Sequence, residues 1–91
     1  MGPMLLAMPK PKPLLTSREV FARNLRRARR LRDVTQETLA LDAGVPRAYL
    51  SRVERGTINI SIDNADALSR AIGIPLHDLV DPAKFAGFDD Q

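Results

Sequence analysis

Residues 35–56 read TQETLALDAGVPRAYLSRVERG, and the spacing of their apolar positions decides the fold. Counted from Gln36, the side chains at offsets 3, 7, 9, 14 and 17 are Leu39, Ala43, Val45, Leu50 and Val53. Ala40 stands at offset 4 and Gly44 at offset 8. A small side chain at Ala40 lets two helices cross closely, and Gly44 supplies the left-handed stop between them. Thr35 has the hydroxyl of an N-cap for the first of these helices. Pro46 is expected in the first turn of the second, where its missing N–H costs nothing. That helix runs on through Leu50 and Val53 until Gly56 closes it, giving a span of about 46–55. The remaining apolar positions close a miniature core under both helices, which is the packing of a helix-turn-helix.

The flanks read as helices too. Thr16-Ser17-Arg18-Glu19 has capping-box spacing, and Phe21, Leu25 and Ala28 follow at i, i+4 and i+7. A helix is therefore expected over about residues 18–32. Asp33 and Val34 end it, since aspartate tolerates the left-handed backbone a tight connection needs. Beyond the motif, residues 57–60 form a loop and Ser61 caps a helix with Ile62, Ala65, Leu68 and Ile72 on one face. Gly73 ends it, and Pro75 starts a short last helix carrying Leu76, Leu79 and Val80. The expectation is an all-α domain of five short helices over residues 16–81. Residues 1–15, MGPMLLAMPKPKPLL, hold four of the seven prolines and are expected as an extended or disordered arm. Residues 82–91 are expected as a tail.

Composition narrows the function. With 91 residues there is room for one small core. Cysteine is absent, which excludes disulfides, thiolate-ligated zinc and thiol catalysis and fits a reducing cytoplasm. His77 is the single histidine, and no general acid–base pair, nucleophile arrangement or phosphate-binding glycine loop occurs. An enzyme, a metal site and a cofactor are all excluded as expectations. The longest apolar run, residues 4–8, falls far short of the ~20 residues of a membrane span and lacks the features of an export signal. Charge is steeply graded along the chain. Residues 1–32 set nine basic side chains against Glu19, a balance of +8, whereas residues 33–56 carry −1 and residues 57–91 carry −4. Eleven of the fourteen basic residues are arginine, whose planar fork suits phosphates and guanine edges.

The segment TQETLALDAGVPRAYLSRVERG, with LRRARRLRDV before it and INISIDNADALSRAIGIPLHDL after it, resembles the phage-repressor-like (Xre, or Cro/C1-type) helix-turn-helix domains over roughly residues 18–80. The INIS stretch is further similar to the controller proteins of restriction–modification systems. The resemblance implies a compact five-helix, lambda-repressor-like domain of bacterial or phage type, with the 46–55 helix in the major groove of duplex DNA. It implies base contacts from Arg47, Ala48, Ser51 and Arg52, where an arginine held to a guanine edge gives about 1–3 kcal/mol of discrimination. It assigns phosphate contact to Gln36, a placement also favoured by the free amides and dipole of a helix N-terminus. Tyr49, Arg55, Thr57, Asn59 and Ser61 are further candidates along the backbone, Ser61 doubling as a helix cap. Arg29 and Glu54 match the family's buried ion pair between the first and third helices. Three positions depart from the pattern: Asp33 stands where glycine is usual, Pro46 where serine or threonine caps the helix, and Ser69 where alanine lies in the core.

One recognition helix covers few base pairs, so specificity argues for a two-fold homodimer on a palindromic operator, with half-sites ~34 Å apart. No separate oligomerisation domain fits after residue 80, so the dimer surface is expected from the last two helices and the tail. Leu76, Val80, Phe85 and Phe88 are the candidates, against the alternative that they pack within one chain. Arg23, Arg26, Arg27 and Arg30 are candidates for added phosphate attraction. The expected function is thus sequence-specific regulation of transcription, as a repressor or controller. The competing reading is an antitoxin or protein-interaction module whose main partner is a second protein. Sequence-independent binding of single strands is disfavoured, because Tyr49 is the one aromatic side chain on the candidate surface.

Overall fold

The computed structural model describes residues 15–85. Five helices follow in order: α1 (Ser17–Leu31), α2 (Gln36–Ala43), α3 (Arg47–Glu54), α4 (Ile62–Ile72) and α5 (Leu76–Leu79). Among the described residues there is no strand.

Each start is written locally. At α1 the Thr16 hydroxyl accepts from the Glu19 amide at 3.1 Å, and the Glu19 carboxylate accepts from the Thr16 amide at 2.8 Å. Both halves of the capping box are present, so α1 starts at Ser17, one residue earlier than expected, and ends one residue earlier. Thr35 caps α2 through the Thr38 amide, and Ser61 caps α4 through the Asn64 amide, each at 3.0 Å. The stops are equally local. Gly44 takes φ +77° after α2, and the Val45 amide then returns to the Ala40 carbonyl at 3.0 Å. Asp33 takes φ +57°, so the connection from α1 to α2 keeps a left-handed residue without glycine.

Pro46 differs from its expected place. It is the N-cap of α3, with φ −65° and an extended ψ of 145°, and the helix begins at Arg47. A proline ring fixes φ only, and that φ serves an N-cap and a first helical residue alike. No side chain caps α3.

The core runs through every helix. Phe21, Leu25 and Ala28 of α1 meet Leu39 and Ala40 of α2, Leu50 and Val53 of α3, and Ala65, Leu68 and Ile72 of α4. Ile74, Leu79 and Phe85 close the far side. Ser69, buried among these residues, satisfies its hydroxyl by donating to the Asp66 carbonyl at 2.8 Å, so a polar atom sits in the core without an orphaned proton.

Phe85 corrects two expectations. It is 9% exposed and belongs to the core of its own chain, so the folded unit reaches at least residue 85 rather than ending at 81, and this ring is not a free dimer contact. The segment that carries it is gripped by α1 through main-chain carbonyls. Arg23 donates to Pro82 at 2.8 Å, and Arg27 donates to Phe85 at 3.1 Å. Asn24, fully buried, donates its amide to the carbonyls of Leu79 at 3.1 Å and Asp81 at 2.8 Å. These bonds satisfy carbonyls that the end of α5 leaves without helical partners. Arg32 does the same for α4 by donating to the Ile72 carbonyl.

Candidate nucleic-acid interface

The geometry of the site begins with what α3 buries. Leu50 is 0% exposed, Val53 3% and Glu54 2%, which pins one face of the helix to the core. The opposite face is thereby turned outward. Arg47, Ala48 and Arg52 are exposed and Ser51 half-buried, and the i, i+4 relations 47–51 and 48–52 set these four side chains on one face. The C-terminal end of that face is tied to the following loop, because the Arg52 carbonyl accepts from both the amide and the hydroxyl of Thr57 at 3.3 Å.

Glu54 is the hub beneath the helix. Arg29 Nε donates to its Oε2 at 2.6 Å, and Arg29 Nη2 donates to its Oε1 at 2.9 Å. The third Arg29 donor, Nη1, reaches the Val34 carbonyl at 3.0 Å. This fork-on-carboxylate pairing joins α1 to α3, and its bidentate form fixes both side chains at once. Gln36, the first residue of α2, donates its side-chain amide to the same Oε1 at 2.9 Å. Arg26 donates to the Glu54 main-chain carbonyl at 2.6 Å. A buried carboxylate therefore meets an arginine fork and an amide, the partners such a charge requires inside a protein.

Around this hub lie the other residues singled out in the sequence. Tyr49 is half-buried and packs against the core, and its hydroxyl accepts from the Asn64 side chain at 2.9 Å while keeping its own proton to donate. Arg55 is exposed, with Nη1 at 3.4 Å from the Ser51 hydroxyl. Thr57, Asn59 and Ser61 are exposed along the loop between α3 and α4. Sequence reasoning overlooked Asn24, Arg32 and Asn64. Asn24 had a visible signal: it lies on the Phe21–Leu25–Ala28 stripe, where a polar side chain must find buried partners. Arg32 and Asn64 act across the fold and left none.

A second surface lies away from α3. Phe21, Ile60, Ile62, Ala65, Leu76 and Val80 line an apolar cleft of about 220 Å³ between α1, α4 and α5. Ile62 is 75% exposed and Val80 40%. Leu76 is half-buried, and Phe88 lies outside the described residues. Among the described residues no cluster of three or more histidine, cysteine, aspartate or glutamate side chains gathers, and no helix is long and apolar enough to cross a membrane.

Five helices with a helix-turn-helix pair, α2 and α3, of this geometry define a class, and the family comparison agrees with it. A helix-turn-helix family model matches residues 25–79, so the chain belongs to the helix-turn-helix family in its phage-repressor-like form, a family of DNA-binding regulators rather than catalysts. Its relatives include regulators of restriction–modification. The chain is 38% identical over 65 residues to the control protein C.BamHI of Bacillus amyloliquefaciens, covering 70% of this chain and 80% of that one. The crystal structure of the restriction–modification controller protein C.AhdI from Aeromonas hydrophila matches with a TM-score of 0.65 and 37% identity, covering 68% of this chain and 94% of its own. The crystal structure of a hypothetical transcription factor from Neisseria matches with a TM-score of 0.71 and 33% identity, over 84% of this chain and 91% of its own.

Proposed function

We propose that this DNA-binding regulator acts in the cytoplasm as a homodimer of the controller type, reading a palindromic operator with α3 in the major groove. The observation that carries the reading is the outward face of α3, where Arg47 and Arg52 are exposed above a buried floor of Leu50 and Val53. In this reading Arg47, Ala48, Ser51 and Arg52 meet base edges, the arginines taking guanines through their paired donors. Gln36, Tyr49, Arg55, Thr57, Asn59 and Ser61 contact phosphates and fix the register without reading sequence. Gln36 has two amide protons, so holding Glu54 with one leaves the other for a phosphate. The apolar cleft beside Ile62 and Val80 supports the dimer, since two copies bury it by facing each other across a two-fold axis.

Selection of bound sequences from random duplexes tests this directly. The expected product is a two-fold symmetric site with half-sites about one helical turn, ~34 Å, apart. Arg47→Ala and Arg52→Ala should each relax preference at a distinct base pair within every half-site. Failure to enrich any sequence, or unchanged preference in both variants, overturns the reading; co-purification of a second protein that masks the cleft favours a protein-interaction module instead.

A further inference from the structure

Residues 82–85 run along α1 in register with its turns. Arg23 donates to the Pro82 carbonyl at 2.8 Å, and Arg27, one turn on, donates to the Phe85 carbonyl at 3.1 Å. Three residues of the returning segment thus match four of the helix, and both run the same way. The next turn of α1 carries Arg30 and Leu31, at i+3 and i+4 from Arg27. Arg30 is exposed, and Leu31 is 55% exposed on a helix whose other apolar side chains are all buried. The chain beyond Phe85 lies outside the described residues and reads Ala86-Gly87-Phe88-Asp89-Asp90. Phe88 follows Phe85 by three residues, as Phe85 follows Pro82, so the same register brings it to the turn of Leu31. Reach is ample, since three extended residues span about 10 Å whereas four residues of helix rise about 6 Å. Charge agrees with the register: α1 sets six arginines against Glu19, and the two residues after Phe88 are carboxylates.

We infer that residues 86–90 continue along α1, Phe88 covering Leu31 while Asp89 and Asp90 pair with arginines of its last two turns, so that the acidic tail guards the basic face of the helix. The occupant of this stripe is a segment of the same chain because the returning segment is already delivered to it, with Phe85 seated in the core one turn away. Exposed ion pairs alone hold a chain end poorly, so the ring supplies the hold and the carboxylates supply the charge. Arg26, Arg29 and Arg30 also line the cleft between α1, α2 and α3, where Ser51 of the outward α3 face forms part of the opposite wall. Carboxylates held at that edge weaken the pull of the face on any polyanion, most of all at low salt. This consequence rests on the DNA-binding reading; the docking of the tail does not.

Two measurements on the full chain test the guard. In the first, NOEs are sought between the Phe88 ring and the Leu31 methyls, with an isotope-mixed sample to separate contacts within a chain from contacts between copies. Intrachain NOEs and ring-shifted Leu31 methyls are expected. Phe88→Ala should abolish both and leave the denaturation midpoint nearly unchanged. In the second, binding to a random-sequence duplex is measured at low salt. The double variant Asp89→Asn, Asp90→Asn should bind several-fold tighter. Phe88→Ala should tighten binding too although it keeps both carboxylates, a result that a change of net charge alone does not give. Leu31 methyls that sense no ring overturn the docking, and NOEs confined to pairs of copies overturn it in favour of a second molecule of the chain. Intrachain NOEs with duplex affinity unchanged in every variant overturn the guard. If the wild-type chain binds no duplex at all, the function proposed above and the guard fall together, and the NOEs alone decide the docking.

Discussion

Glu54 shows how much one residue carries when its charge is removed from water. It is 2% exposed, and its carboxylate accepts from Arg29 twice and from Gln36 once. Glu54→Ala leaves Arg29, itself largely buried, without its counter-charge and should lower stability by about 3–5 kcal/mol in urea denaturation. Melting at the wild-type temperature would refute the hub. Glycines at two helix ends give a comparative case. Gly44 and Gly73 both sit at positive φ, but a Cβ at Gly44 meets nothing within 4 Å, whereas one at Gly73 comes within 2.9 Å of Arg32 Nη1. Gly44→Ala should therefore cost the backbone strain alone, about 1–2 kcal/mol. Gly73→Ala should cost slightly more, because the mobile guanidinium of Arg32 must also shift beside the Ile72 carbonyl; paired denaturation curves compare the two.

At the scale of helices, most of the fold was legible because the signals are local. Thr16 with Glu19, Thr35 and Ser61 start helices by bonding amides three residues on, and Gly44 and Gly73 stop them by backbone freedom. The outward face of α3 was legible for a related reason: Leu50 and Val53 must be buried, and the helical repeat then turns positions 47, 48, 51 and 52 the other way. Pro46 was misplaced by one residue because ψ, which its ring leaves open, separates an N-cap from a first helical position. What docks against α1 was not legible. The division of Arg23 and Arg27 from Arg26 and Arg30 depends on where residues 82–85 return, a contact between positions almost sixty residues apart. The same return explains Asn24, whose role predicts an element-specific response. Asn24→Asp replaces a donor with a charge facing carbonyl oxygens and should cost more than Asn24→Ala, itself worth about 1–3 kcal/mol. Hydrogen exchange should quicken in α5 and residues 80–85 first, with α2 and α3 affected least.

For the whole molecule, the proposed dimer and the folded core draw on different apolar side chains. Val80 and Ile62 are exposed at the mouth of the apolar cleft, whereas Phe85 fills the core. Val80→Asp should shift sedimentation toward the monomer and leave the denaturation midpoint nearly unchanged. Phe85→Ala should do the reverse, costing about 3 kcal/mol or more of stability as a cavity opens under α1. Equal effects of both variants on association would mean that Phe85 also serves the interface. The charge gradient also takes on a physical shape in the fold, because Arg23 and Arg27 of α1 hold the carbonyls of Pro82 and Phe85 while Arg26, Arg29 and Arg30 line the cleft beside α3.

The bonds that Arg23, Asn24 and Arg27 of α1 give to the carbonyls of Leu79, Asp81, Pro82 and Phe85 run to main-chain oxygens. Peptide carbonyls are the same whatever side chain they bear, so the clasp is blind to the identity of residues 81–84. Residues 81–84 matter to the strap through their own turn instead, where the Asp81 carboxylate accepts from the Ala83 amide and Lys84 pairs with Asp78, while the ring at 85 anchors its end.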